Sequence, residues 1–455
     1  MRPNSPGIKT LYKKELSNHQ LRENLSKATL QSVQKRNKSF EELDFEYLRN
    51  QARQIKLDTL SQLNEYLAQF EDNATKNGCK VFYASTAFNA NQYILNVAKS
   101  TSSKLIVKSK SMVTEEIELV DFLKKNGIEA VETDLGEYIV QLAGEKPSHI
   151  TTPAIHKSRY EISNLFHDKL GTENNPNPEF LTLKARQILR EQFLRADIGV
   201  SGANFLIAET GDVVVVENEG NARLSTSSPR VHIVVTGIEK ILPRFSDLRI
   251  FLRLLGRSST GQKLTSYTSI LRSPRTKEEL DGPDELHIVI LDNGRTNLLG
   301  TEYQEILHCI RCGACLNVCP VYRKIGGHAY GSVYPGPIGS LVTPLYSDME
   351  KARDLAFAST LCGNCTEVCP VGINIHHHLL TLRNDINKRH KHFVEKFLIN
   401  QFTMVSLRPK LLSFLGGTAR MLSRLQLLNF FLKQWTKERS MPNFPPQSFK
   451  KYNRE

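Results

Sequence analysis

No run of about 18 apolar residues, the length a helix needs to cross a bilayer, occurs in this 455-residue sequence. Met1 to Thr10 also lacks the apolar stretch of a secretory signal, so a cytoplasmic protein is expected, with the inner membrane face as a surface for peripheral contact. Missing as well are a dinucleotide-binding G-x-G-x-x-G, a P-loop, and a nucleophile with a base at a diagnostic spacing. A recognisable hydride-accepting or phosphate-cradling site is thereby excluded, and no catalytic residue is nominated. The net charge of +13 is spread along the chain with concentrations near both ends, and no nucleic-acid motif accompanies it. Positive charge attracts nucleic acid, anionic lipid and acidic proteins without choosing among them, so nucleic acid is not expected as a partner.

What is present is an ordinary soluble composition, 40% hydrophobic and 24% charged, with length for two or three domains. Residues 1–77 are polar, with Leu60, Leu63, Leu67 and Phe70 at helical spacing, and predict an N-terminal helical arm that braces the next domain or a partner. From 78 to 295 short β-branched runs alternate with helical stretches: Val81 to Tyr83, Leu105 to Val107, Ala130-Val131, Phe205 to Ala208, Val213 to Val216, Val231 to Val235 and Ile288 to Leu291. That alternation predicts an α/β domain on one mostly parallel sheet. A small cysteine-rich domain follows at 296–388, expected to fold on a core of its own. Residues 389–455 form a basic, amphipathic helical tail carrying Phe393, Phe397, Phe402, Leu411, Leu412, Phe414 and Leu415, ending in the Pro-rich Met441 to Pro446. The stretch Phe393 to Trp435 has the composition of a helix laid into a partner's groove or onto an anionic surface, and a packing helix explains it equally well.

The chemistry lies in the cysteines. Cytosolic thiols stay reduced, so a dense cluster of them points to metal rather than disulfides. Cys309, Cys312, Cys315 and Cys319-Pro320 form the C-x2-C-x2-C-x3-C-P run in which three thiolates close on one cubane and the fourth reaches another. Zinc sites favour separated cysteine pairs on a single ion. Cys362, Cys365 and Cys369-Pro370 repeat the last three positions of the run. The swapped-ligand rule assigns Cys309, Cys312, Cys315 and Cys369 to one [4Fe-4S] cluster, and Cys319, Cys362 and Cys365 to a second with only three cysteine ligands. Ser359 stands where the missing thiolate would be. The 42 residues between Cys319 and Cys362 exceed the need of a minimal ferredoxin, and Met349 to Ala358 reads as helix, so a helical two-cluster module is expected. Cys79 reads as a small buried hydrophobe. His376, His377 and His378 point in different directions from a helix start and read as a solvated turn.

With those motifs in place, the chain resembles the LutB (LldF, YkgF) family, iron–sulfur subunits of bacterial lactate-utilization complexes. The resemblance runs nearly end to end, through Val107 to Ser111, Glu132 to Glu137, Pro147 to His149, Ala203 to Gly211 and Ser228 to His232. It implies that residues 78–295 are a LUD domain, similar to the sugar-phosphate isomerase (NagB/RpiA) and CoA-transferase type of α/β sheet. It also implies oxidation of L-lactate to pyruvate, in company with two further subunits. Electron transfer follows from the cysteines; lactate follows only from the resemblance.

Two other readings stand beside this one: an electron relay for another 2-hydroxy-acid dehydrogenase, such as one acting on glycolate, and a redox- or metabolite-sensing binding protein. Within the α/β domain, Lys108, Ser109 and Lys110 follow a strand and are candidates to hold an anion, or merely to cap a helix. Glu209, Thr210, Asn221, Arg230 and His232 fall in turns beside strands and are candidates to line a pocket, which turn chemistry explains equally well.

Overall fold

The computed structural model describes residues 8–389 and 393–424. They fall into two compact units, Met1–Ile386 and Asn387–Glu455.

In the first unit the polar N-terminal segment forms four helices: α1 (Ile8–Leu16), α2 (His19–Phe40), α3 (Phe45–Ser61) and α4 (Leu63–Lys76). Asn18 and Asp44 start α2 and α3 by accepting the Leu21 and Tyr47 N–H groups, which the first turn leaves without a helical partner. Leu60, Leu63 and Phe70 are buried, as their spacing predicts.

Ten strands follow in chain order: β1 (Lys80–Ala84), β2 (Leu105–Lys108), β3 (Glu129–Glu132), β4 (Ile198–Ser201), β5 (Phe205–Ile207), β6 (Asp212–Glu217), β7 (Val231–Gly237), β8 (Ile241–Leu242), β9 (Tyr267–Leu271) and β10 (Glu285–Leu291). Six of them make an all-parallel sheet in the order β1-β10-β7-β4-β2-β3. Its central strands β2, β4 and β7 are buried throughout, which is why β2 and β7 read as runs rich in β-branched residues. The edge strand β3 is blunted by Gln141, whose side chain accepts the Glu132 N–H at 3.0 Å and donates to the Ala130 carbonyl at 2.8 Å.

The runs at Phe205 and Val213 depart from expectation. They belong to a second sheet, β8-β5-β6-β9, in which β5–β6 and β6–β9 pair antiparallel. The four residues between β5 and β6 are far too few for a parallel crossover, which needs a dozen or more, and suffice for a hairpin. Gly211 closes that hairpin at φ +73°, where an added Cβ would lie 2.4 Å from the Ala74 backbone nitrogen.

The cysteine-rich segment shares its core. One contiguous hydrophobic cluster runs from Leu21 and Leu60 through Phe205 and Phe251 to Cys312, Leu316, Tyr334 and Leu379. The expectation of a separate core is therefore corrected: the arm, the small sheet and the cysteine segment bury one another. The helix expected across Met349 to Ala358 is α-helical only at Met349–Ala352 and tightens to 3-10 geometry over Arg353–Phe357.

In the second unit the helices Phe393–Ser406 and Pro409–Arg424 are joined by two residues, with Pro409 at the first helical position of the latter. Phe397, Phe402, Leu412 and Phe414 are exposed. The remainder of the tail, including Trp435 and Met441 to Pro446, lies outside the described residues. Among the described residues no helix is long and apolar enough to cross a membrane.

Candidate iron–sulfur site

The two cysteine runs fold into the same turn. Arg311 and Leu361, each just before a cysteine, are held in the left-handed region at φ +61° and +55°. Gly313 and Gly363, each just after that cysteine, lie there too at +78° and +86°. A side chain with a Cβ disfavours that region, so its paired recurrence marks a backbone bent to aim its neighbours at one centre. Short helices follow at Ala314–Val318 and Asn364–Glu367, and each run ends by turning backbone donors onto its last sulfur. Tyr322 N–H donates to Cys319 Sγ at 3.5 Å and Ile373 N–H to Cys369 Sγ at 3.4 Å.

All eight cysteines are unpaired. Cys312, Cys315, Cys319, Cys365 and Cys369 are buried, Cys309 is half-buried and Cys362 is exposed. Burial pushes the Cys312 and Cys365 thiols up to about 12 and Cys369 to about 11, with Cys315 raised further by Cys312 and Cys309 beside it. Thiolates so disfavoured persist only against a compensating cation, which is what iron supplies. Cys312 lies within electrostatic reach of Cys369 and Cys309, and Cys365 within reach of Cys319 and Cys362. Cys79 is distant in role: its thiol, raised to about 11 by burial and by Asp212, donates to the Arg272 carbonyl.

Orphaned donors beside Cys309 suit an anionic group. Nη1 and Nη2 of Arg311 are buried without a hydrogen-bond partner, although the guanidinium stacks on Tyr334 at 4.4 Å and comes within 3.9 Å of Glu239. A bound cluster, with its sulfides and thiolates, is an acceptor of the kind these groups lack. Nothing in the sequence distinguishes Arg311 from an ordinary turn arginine, and Lys56 and Lys240, which also face Cys309, give no local signal at all.

Elsewhere the candidates separate. Lys108 is fully buried and already bound by carboxylates, 2.7 Å from Glu132 and 3.3 Å from Glu115, so it holds no external anion. Ser109 donates its N–H to the Val200 carbonyl, inside the sheet. Glu209 accepts from Phe245 N–H, Thr210 donates to Asp212, Arg230 pairs with Asp284, and the neutral His232 ring, held near 3 by burial and His287, bonds Ser201 at 2.8 Å. Asn221 opens the helix Asn221–Ser227. None of these five lines the cavity of about 750 Å³ beside β3. The three histidines are not a solvated turn: His376 bonds Thr366 at 2.8 Å, the buried His378 bonds Glu305 at 2.9 Å, and His377 alone is exposed.

Comparison with known proteins agrees with this layout. Residues 67–291 match the LUD domain family and residues 305–373 the 4Fe-4S dicluster domain family. "Lactate utilization protein B" of Oceanobacillus iheyensis is 45% identical over 435 residues, covering 95% of this chain and 89% of the relative. The protein of the same name from Geobacillus sp. strain WCH70 is 51% identical over 337 residues, covering 74% and 71%. A solved structure of a DUF162 family protein from Deinococcus radiodurans aligns with 50% of this chain and 98% of its own at 15% identity, with a TM-score of 0.30, too low to argue from. With 45% identity to the Oceanobacillus iheyensis protein over 95% of this chain, and with the LUD and 4Fe-4S dicluster domains both matched, the chain belongs to the lactate utilization protein B family of iron–sulfur proteins.

Proposed function

We propose that the chain is the electron-transfer subunit of a complex that oxidises L-lactate to pyruvate, passing electrons through two [4Fe-4S] clusters. The observation that carries this reading is the turn repeated in both cysteine runs, with five of their seven thiols buried. Cys309, Cys312, Cys315 and Cys369 would hold the first cluster, and Cys319, Cys362 and Cys365 three irons of the second. Cys312 faces Cys369 and Cys309, and Cys365 faces Cys319 and Cys362, in keeping with that division, while Cys315 lies between the sets and faces Cys365 as well as Cys369. The clusters would supply one-electron chemistry; the chain's own residues bury the first and leave the second nearer solvent at Cys362.

Lactate enters through the name of the relatives, while two further subunits as partners rest on the family resemblance alone. The tail would contact one of them, an electron acceptor, or the inner face of the membrane. No hydride-accepting site is recognisable in the sequence, so lactate oxidation should appear only with the partners added. The anaerobically purified protein should be brown and carry about eight iron and eight sulfide per chain. Stoichiometric zinc without acid-labile sulfide would overturn the reading, and substrate profiling of the reconstituted complex would separate lactate from glycolate.

A further inference from the structure

The surroundings of Cys309 are unusual in charge. Arg311 comes from the cysteine run, Lys56 from α3, and Lys240 and Glu239 from the 3-10 turn Ile238–Lys240 after β7. Arg295, from the loop after β10, and Glu116 complete the group. Each of the six side chains is more than nine-tenths buried. Four basic groups thus face two carboxylates, both held by Arg295, although Glu239 Oε1 makes no hydrogen bond. Arg295 binds Glu116 in a two-pronged pair at 3.0 and 2.9 Å and Glu239 at 2.7 Å. Lys56 donates to the carbonyls of Glu239 and Ile241. Arg311 keeps its cation but no hydrogen bond for either terminal nitrogen.

A buried guanidinium that makes no hydrogen bond through its terminal nitrogens and meets Glu239 only at 3.9 Å is disfavoured unless a further anion lies within reach. Around Arg311 lie the Cys309 sulfur, the Tyr334 ring at 4.4 Å and the Glu239 carboxylate at 3.9 Å. A four-thiolate cubane bears net negative charge, and that charge grows by one on reduction. A fixed cation against it therefore favours the reduced state, and hydrogen bonds to its sulfurs act in the same direction.

We propose that Arg311, seconded by Lys240, is a positioning residue that raises the reduction potential of the cluster held by Cys309, Cys312, Cys315 and Cys369. The inference rests on the cluster assignment above. It makes the LUD domain more than a scaffold: a turn at the carboxyl end of β7, in the region where open α/β sheets place ligands, supplies charge to the first cluster. Lys240 and Glu239 at that position are part of the electron carrier.

The test is a potentiometric titration of the full chain, followed by electron paramagnetic resonance of the reduced clusters. Arg311→Gln should move one of the two midpoints to a more negative potential while the other stays in place. A shift of about 59 mV would correspond to a tenfold loss in the equilibrium constant for one-electron reduction. Arg311→Lys, which keeps the charge and loses the planar fork, should recover most of that shift. A merely structural role would change iron content or the unfolding midpoint and leave the potential of loaded protein unmoved. Two unchanged midpoints at wild-type iron content would overturn the inference and leave the cluster assignment standing. If Arg311→Gln fails to load iron, Lys240→Gln, outside the cysteine run, decides by the same criterion. Wild-type protein that holds no iron–sulfur cluster would remove both the assignment and the inference.

Discussion

Arg295 shows at the scale of one residue how far a buried charge depends on distant partners. Its side chain has no solvent exposure, bonds Glu116 and Glu239, and lies over the Tyr346 ring at 4.7 Å. Burial alone would raise the Glu239 carboxyl, but Arg295, Lys240 and Arg311 hold it down at about 2; Glu116 is likewise lowered against burial, chiefly by Arg295. Arg295→Met would leave two buried carboxylates without their main partner, a loss of about 3–5 kcal/mol at neutral pH. Denaturant unfolding followed by circular dichroism measures it. The pH dependence distinguishes wild type from variant. In the wild type Glu239 binds fewer protons folded than unfolded, so its stabilisation is complete above its ordinary value near 4.5 and is lost as pH falls toward 2. In Arg295→Met the carboxyls should titrate upward, so the deficit relative to wild type should shrink on acidification from pH 7 to 5; a constant deficit would contradict the account. None of this is legible in the sequence. Arg295 sits in Asp292-Asn-Gly-Arg295, which reads as a turn, and its partners lie 56 and 179 residues away.

At the scale of elements the sequence is legible where spacing is local. The cysteine runs, the helical arm and the β-branched strands that end as β1, β2, β3, β7 and β10 are all visible as patterns. The antiparallel sheet was hidden because β5 and β6 have the same β-branched texture as the parallel strands, and only the short hairpin between them betrays the difference. Ser359 is the element-scale question the pattern raised. Aligned on the repeated turn, it occupies the position of Cys309. Its Oγ accepts the Leu361 N–H at 3.1 Å, and Arg383 clamps the loop by donating to the Ser359 and Ala356 carbonyls at 2.7 and 2.9 Å. A hydroxyl is a far weaker iron ligand than a thiolate, and His376 and His378 already have other partners. One iron of the second cluster should therefore be labile. Mild oxidation should produce a [3Fe-4S] signal in electron paramagnetic resonance at no more than one cluster per chain. That signal should vanish in Cys365→Ser and diminish in Ser359→Cys. Two equally oxidation-resistant four-iron clusters, indifferent to Ser359→Cys, would defeat the open-site account.

For the whole molecule, the arm is the feature whose role no local pattern could assign. Helices α2 and α3 reach more than 300 residues along the chain to grip the second cysteine run: Arg36 donates to the Val368 carbonyl at 3.3 Å and Arg49 to the Thr366 carbonyl at 2.9 Å. Leu21 and Leu25 of α2 pack against Gly326, beyond the first run. Both cysteine runs are thus braced within Met1–Ile386, and the last buried residue of the helix Ile375–Arg389 is Ile386. The segment from Asn387 onward is a compact unit of its own. Its helices Phe393–Ser406 and Pro409–Arg424 expose Phe397, Phe402, Leu412 and Phe414 among basic residues such as Arg408 and Lys410, a composition suited to a partner's apolar groove with an acidic rim. A chain ending at Lys388 should consequently keep its iron, its sulfide and its unfolding midpoint, because the described contacts that brace the cysteine runs lie within Met1–Ile386. It should lose assembly with the other subunits, read as failure to co-elute in size-exclusion chromatography and loss of reconstituted lactate oxidation. Flotation with anionic vesicles, run on the same pair of proteins, separates a lipid contact from a protein contact. Unchanged assembly together with unchanged flotation would return the tail to a packing role.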